Sequence, residues 1–235
     1  AQEVALIREV APLTSRLIVV LQAGAAITVA DWQDEVEALL FAFYPGQEGG
    51  HALADVLFGA VAPSGRLPFS MPAREEDLPP FDNLSARVTY GYFHGYRHLD
   101  HEGIAPAYPF GHGLGYTRFT YASLVLESAS LDASGTLRAR VEVTNAGTVP
   151  GRETVQLYIG AQGSRVMRSQ RDLRAFTQVE LAAGETRTVA LEVPIAELAF
   201  WDEAASAWEV EPVTYRVEVG ASAGDLPLGA SFDVR

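Results

Sequence analysis

The stretch "TLRARVEVTNAG" (residues 136–147) alternates apolar and polar side chains until it stops at Asn-Ala-Gly. Leu137, Ala139, Val141 and Val143 fall on one side of an extended chain, and Arg138, Arg140, Glu142 and Thr144 on the other. The pattern predicts a strand with one face in a core and one in water. The same texture recurs on both sides, in "YASLVLESASL" (121–131), "ETVQLYIG" (153–160), "LRAFTQVEL" (173–181), "ETRTVALEVP" (185–194), "AWEVEP" (207–212), "VTYRVEVG" (213–220) and "LGASFDV" (228–234). Asn145-Ala146-Gly147 and Ala183-Gly184-Glu185 are read as turns. Short strands at this spacing predict an immunoglobulin-like β-sandwich over residues 119–235. It has no cysteine pair, because the chain has no cysteine.

Upstream of residue 119 the texture differs. In "AQEVALIREVAP" (1–12), Val4, Leu6, Ile7 and Val10 keep helical spacing until Pro12. "RLIVVLQAG" (16–24) and "ALLFAF" (38–43) are continuous apolar runs, which suit strands of a parallel sheet covered on both faces. "HALADVLFG" (51–59) carries Ala52, Leu53, Val56 and Leu57 on one helical face, with Gly59 as its stop. "PSGRLPFSMP" (63–72) reads as a turn into an extended segment, and "AREEDLPPFDNLSA" (73–86) as a surface loop. "RVTYGYFHGYRHLD" (87–100) and "PAYPFGHGLGYTRFTY" (106–121) read as extended segments laid over a core. The expected class is therefore α/β with a mostly parallel, incomplete sheet over residues 1–118, followed by the all-β sandwich.

Charge and composition narrow the function. Net charge is −13 over 235 residues, with 30 acidic side chains against 17 basic ones. That argues against a nucleic-acid partner, which needs a basic face for phosphates. No apolar run reaches the roughly 20 residues of a membrane span, and residue 1 does not open a signal peptide. All 17 basic residues are arginine, a composition expected of a GC-rich bacterial coding sequence.

The corner "FYPGQEGGHALADVLFG" (43–59) sets Glu48 among turn residues. It reads either as a catalytic acid or as a helix start whose carboxylate meets the positive end of the helix dipole. Glycines 46, 49 and 50 suit tight turning and close packing. His94, His98 and His101 have a spacing that would suit a metal on a helix, but their surroundings read as extended. "FGHGLGYT" (110–117) lacks the strand and helix of a dinucleotide site. Arg66 and Arg97 are expected to tie loops to carbonyls and acids. Tyr90, Tyr92, Phe93 and Tyr96 suit packing, or the rim of a sugar site on which pyranose rings stack. Trp201 and Trp208 are the tryptophans of the second half, and "LAFWD" (198–202) reads as a turn packed against the sandwich.

"YPGQEGGHALADVLFGAVAPSGRLPFSMP", "GYRHLD", "YPFGHGLGYTRFTY" and "VTNAGTVPGRETVQLYI" occur here in the order found in glycoside hydrolase family 3. "LRAFTQVELAAGETRTVALEV", "LAFWD" and "YRVEVGAS" resemble the fibronectin type III-like domain that closes many members. The resemblance runs from about residue 2 to the C-terminus. It implies a retaining, exo-acting β-glycosidase, a β-glucosidase or a β-xylosidase, acting on a β-glucoside or oligosaccharide. It implies no cofactor and no metal. It also implies that the nucleophile Asp and the acid/base Glu lie outside this chain, on a (β/α)8 barrel and the first part of the α/β sandwich domain. That N-terminal part is the expected partner, and a homodimer of the whole enzyme stays open. In the family "PGQEGG" is a structural corner, so Gly46, Glu48, Gly49 and Gly50 are expected near the site without carrying the chemistry. Tyr92 and His94 are the candidates for the substrate rim. Their loop departs from the commoner family pattern, in which a Glu-Gly pair and a few more residues precede "GYR". A periplasmic or secreted location is slightly favoured. The competing reading is a non-catalytic module that binds a carbohydrate polymer or a protein.

Overall fold

The computed structural model describes residues 2–235. The chain divides into two units: residues 1–61 with 69–109, and residues 62–68 with 110–235.

In the first unit α1 (Gln2–Val10) runs into a 3-10 turn at Ala11–Leu13, which Pro12 initiates. Strands β1 (Ile18–Leu21) and β2 (Ala38–Phe41) pair in parallel, with Ile18 opposite Ala38 and Leu21 opposite Phe41. Helix α2 (Gly49–Leu57) follows and stops at Gly59, whose φ of +79° only glycine adopts without strain.

Helix α3 (Tyr96–Glu102) corrects the extended reading of "GYFHGYRHLD". Gly95 at φ +57° and the left-handed Gly103 at φ +68° delimit it, and Leu99 is its buried anchor. Seven residues are too few to print a helical period, so two glycines carried the only signal.

The second unit is the sandwich. Its strands are β3 (Phe119–Leu126), β4 (Ser130–Leu131), β5 (Thr136–Asn145), β6 (Gly151–Gln162), β7 (Asp172–Leu181), β8 (Thr186–Pro194), β9 (Phe200–Asp202), β10 (Ala207–Glu209), β11 (Thr214–Gly220) and β12 (Leu228–Val234). One sheet has the order β4-β12-β11-β6-β7 and the other β3-β5-β8. The alternating residues Leu137, Ala139, Val141 and Val143 all point into the shared core. They meet Leu157, Leu191 and Val217 there, and Tyr215 stacks on Phe232 with ring centroids 5.5 Å apart. β9 and β10 form a separate hairpin. "LAFWD" is thus partly strand, and Trp201 is half exposed instead of packed down as a turn. The three residues of β9 do not register their alternation, whereas its partner β10 falls within "AWEVEP", which reads as a strand.

Strand β6 is buried on both faces, unlike the one-sided strands around it. Val155, Leu157 and Ile159 face the core, and Thr154, Gln156 and Tyr158 the opposite side. Residues 62–68 and 110–113 provide the second cover. Leu67 donates its N–H to His112 O (2.8 Å), and Gly111 donates to Leu67 O (2.8 Å). Gln156 donates to Gly111 O (3.2 Å) and accepts from the Tyr158 hydroxyl (2.8 Å). Gly111 sits at φ +80°, and a Cβ there would lie 2.2 Å from Gln156 Oε1.

Arg66 pins this cover. Its Nη2 lies 2.9 Å from both carboxylate oxygens of Glu153, and the two side chains are only 12% and 4% exposed. The Tyr121 hydroxyl donates to Glu153 Oε1 at 3.1 Å. Burial, and then the neighbouring carboxylate, push the Tyr121 phenol well above its ordinary range, so it stays a donor. Removing one partner of such a buried pair leaves a charge with no water and no counterion, which costs about 3–5 kcal/mol. Arg66→Met should therefore destabilise the sandwich by about that much in chemical denaturation, and Arg66→Met/Glu153→Leu by clearly less. Equal losses in the single and double variants would refute the pairing as the source of the stability.

Candidate functional site

The corner after β2 is built from its backbone outward. Phe43 stands at φ +51° and Gly46 at φ +71°, so the chain reverses sharply before α2. Gly49 is buried under Pro45, where a Cβ would sit 2.6 Å from the proline ring. Phe41, Phe43 and Phe69 form an aromatic trio beside the corner, with centroids 4.5, 5.7 and 6.0 Å apart. Gly50 is exposed, and a side chain there would meet open space.

Glu48 is the residue just before α2, and its carbonyl accepts the Ala52 N–H at 2.9 Å. Its carboxylate does not cap the helix. It turns to His51, with Oε2 2.8 Å from Nδ1, and its side chain is 74% exposed. A retaining glycosidase sets two carboxyls roughly 5–5.5 Å apart. The neighbour that Glu48 contacts is an imidazole, and the geometry serves a helix start.

The segment leading to α3 is anchored by Asp77. This buried carboxylate accepts from the Arg74 backbone N–H (3.0 Å) and from Arg74 Nη2 (2.8 Å), closing a 3-10 turn at Glu75–Asp77. The Arg74 side-chain hydrogen bond holds the Asp77 carboxyl below the usual range. The Asp77 carbonyl in turn lies 3.1 Å from His98 Nε2. His101 stacks on Phe93 at 4.0 Å, and Arg97 lies over the Tyr96 ring at 5.4 Å.

His98 and His101 are one helical turn apart, yet each faces a different group. His94 precedes α3 and is exposed. Among the described residues no three metal-ligating side chains come together. Tyr92 is 50% exposed and meets Phe93 edge-on at 5.0 Å. Tyr90 meets Phe81 at 6.0 Å, and both are largely exposed. Tyr92 and His94 are thus open to a neighbour, while Gly46, Glu48 and Gly49 belong to the corner. Asp77, which orients the segment, escaped the sequence reading. "REED" showed only a charged loop, although Asp three residues after Arg74 at the start of a turn was the available signal.

Residues 1–116 match the glycosyl hydrolase family 3 C-terminal domain, and residues 153–223 match the fibronectin type III-like domain. The chain carries the C-terminal domain of glycosyl hydrolase family 3. A β-glucosidase of Rhizobium radiobacter is 41% identical over 97% of this chain, which spans 29% of that relative. An exo-α-(1→6)-L-arabinopyranosidase of Bifidobacterium longum is 38% identical over 96% of the chain and 30% of its own length. Among solved structures, the β-D-glucoside glucohydrolase of Trichoderma reesei superposes with a TM-score of 0.91 at 32% identity, covering 98% of this chain and 35% of that one. DesR, a β-glucosidase of Streptomyces venezuelae solved with D-glucose, gives 0.91 at 35% identity, covering all of this chain and 31% of its own. The relatives are both bacterial and fungal, so arginine usage is the only feature here that speaks for a bacterial source.

The Asp77 turn should be pH-sensitive in one direction. Its folded pKa is depressed, so its contribution is present above the unfolded carboxylate range, near 4. It is lost as pH falls through the folded value. Protection factors of the amides at residues 74–78, corrected for the intrinsic pH dependence of exchange, should fall on acidification, and Asp77→Asn should show that low protection already at neutral pH. Exchange in the variant that matches wild type at pH 7 would count against the turn.

Proposed function

We propose that this chain is the C-terminal part of a retaining, exo-acting β-glucosidase. The observation that carries the reading is the near-complete match of the chain to β-glucosidases about three times its length. The proposal gives the chemistry to residues outside the 235: a barrel Asp attacks the anomeric carbon, and a sandwich-domain Glu protonates the leaving oxygen. Water then hydrolyses the glycosyl-enzyme with retention. Glu48 has no part in proton transfer. It starts α2, and the aromatic segment around Tyr92 and His94 lies along the rim that substrate passes. The arabinopyranosidase relative supports a second sugar specificity on the same scaffold, and β-xyloside hydrolysis is the further alternative within the family.

The physical state of the first unit supports a covering partner. Its buried apolar side chains, among the described residues, are Val29, Trp32, Met71 and Leu99. Leu6, Leu13, Tyr44 and Phe58 are 60–89% exposed. Among the described residues β1 and β2 pair only with each other. Parallel strands are stable when both faces are covered, and an open apolar edge is a template for pairing. In this proposal the N-terminal part of the same enzyme supplies the missing strands beside β1 or β2 and the cover for Tyr44 and Phe58.

The test compares two preparations. The full-length polypeptide should hydrolyse p-nitrophenyl β-D-glucoside faster than the β-D-xyloside or the α-L-arabinopyranoside. The 235-residue chain alone should not turn over any of them, and it should self-associate in size-exclusion chromatography with mass detection. Glu48→Gln in the full-length polypeptide should change kcat by less than about threefold. Turnover by the isolated chain that vanishes with Glu48→Gln would overturn the assignment of the chemistry.

A further inference from the structure

The β9–β10 hairpin stands apart from both sheets of the sandwich and carries two tryptophans on one face. Trp201 and Trp208 are directly opposite in the antiparallel register. Their rings meet edge to face, with centroids 5.7 Å apart and planes at 72°. They are 49% and 71% exposed. Their neighbours Phe200, Asp202 and Glu209 alternate to the other face, and that face is the anchored one. Arg165 Nη2 lies 2.7 Å from both Asp202 Oδ2 and Glu209 Oε2, and its guanidinium covers the Phe200 ring at 4.9 Å. Arg168 approaches the same ring at 5.9 Å. Asp202 also accepts the Ala204 and Ala205 N–H groups at 2.8 and 3.0 Å, which fixes the turn.

The anchoring is complete without the indoles. A cross-strand aromatic pair contributes only about 0.2–1 kcal/mol, whereas a buried aromatic removes about 150–250 Å² from water. Leaving two tryptophans in water on a hairpin clamped from behind is a poor use of both residues unless something covers them.

The surroundings select the occupant. Two indoles offer far less than the roughly 800 Å² per partner of a stable protein interface. The rest of the hairpin is small or charged: Glu203, Ala204, Ala205 and Ser206 are all exposed. Asp202, Glu203 and Glu209 outnumber Arg165, and the Arg165 guanidinium already binds two of them. An anionic polymer is therefore repelled. Two exposed indoles meeting edge to face, on a hairpin whose turn carries Glu203 and Ser206, fit a neutral sugar ring. The ring stacks its C–H face on the indole and exchanges hydrogen bonds at its rim.

We propose that the Trp201–Trp208 hairpin is a stacking platform that binds a neutral glucan chain. The identification of glucan rests on the β-glucosidase reading; the platform itself rests on the hairpin. The test is native affinity electrophoresis of the full-length polypeptide in gels containing hydroxyethylcellulose, mixed-linkage β-glucan or β-1,3-glucan, with polygalacturonate as the anionic control. At least one neutral glucan should retard the wild type, and polygalacturonate should not. Trp208→Ala should weaken the retardation tenfold or more, and Trp208→Phe, which keeps a ring face, should retain most of it. The same samples are assayed with p-nitrophenyl β-D-glucoside, whose turnover should be unchanged by either substitution. Retardation without turnover would remove the glycosidase reading and leave the platform; turnover without retardation by any neutral glucan overturns the platform. If Trp208→Ala does not fold, acrylamide quenching of the wild type and of Trp208→Phe decides. The difference in quenching between wild type and Trp208→Phe reports the hairpin apart from every other tryptophan of the full-length polypeptide, and a β-glucan oligosaccharide should reduce that difference. Quenching that is indifferent to the oligosaccharide overturns the proposal, as does protection that appears with protein concentration alone.

Discussion

The buried pair of Arg66 and Glu153 is the constraint around which the sandwich is arranged. A carboxylate on β6 is 4% exposed, so it must be matched in charge or it destabilises the strand that carries it. The match comes from a residue 87 positions earlier in the chain. Bringing Arg66 there brings residues 62–68 with it, and these pair with residues 111–112 over the outer side of β6. That cover explains why Gln156 and Tyr158 can be buried and still make their hydrogen bonds. It also explains why Gly111 and Gly113 leave no room for a side chain: a Cβ on Gly113 would sit 2.2 Å from Gly65 O.

The same segment ties two kinds of environment together along the chain. Three residues after Arg66, Phe69 joins Phe41 and Phe43 beside the Gly46–Gly50 corner. The sandwich unit has a dense core of its own, from Leu137 to Val234. The first unit has few buried side chains and a parallel pair with open edges. Stability in small domains tracks the apolar area removed from water. On this measure the sandwich unit is self-sufficient, and the first unit buries far fewer apolar side chains among the described residues.

Much of the sandwich was legible because its strands are long and one-sided. Leu137, Ala139, Val141 and Val143 print a period of two that no helix imitates. β1 and β2 were legible as apolar runs, and α2 was legible from its spacing and Gly59. Helix α3 was not, since its only marks are Gly95 and Gly103. The β9–β10 hairpin was legible only in its second strand, which falls in "AWEVEP"; Trp201 in "LAFWD" has too few neighbours to show which face it takes. The Arg66–Glu153 pair was half legible: a loop arginine expected to bind an acid could be named, but its partner is set by tertiary closure. In the candidate site, Glu48 could be read as a helix start. That its carboxylate would turn to His51 instead of the backbone depends on a rotamer, and sequence pattern does not carry rotamers.

These differences bear on how function sits in this chain. Gly46 and Gly49 are dictated by backbone geometry, one by a left-handed φ and the other by the proline ring above it. They shape a corner whose carboxylate is left in water. Asp77 fixes the segment that carries Tyr92 and His94 to α3 through one carbonyl on His98. Each of these residues holds a surface in place, and none has the paired, desolvated carboxyls that glycosidic chemistry requires. In the proposed β-glucosidase, the part played by a chain organised this way is to present surfaces at fixed positions. Rigid turns, buried ion pairs and clamped hairpins are the features that hold such surfaces in place.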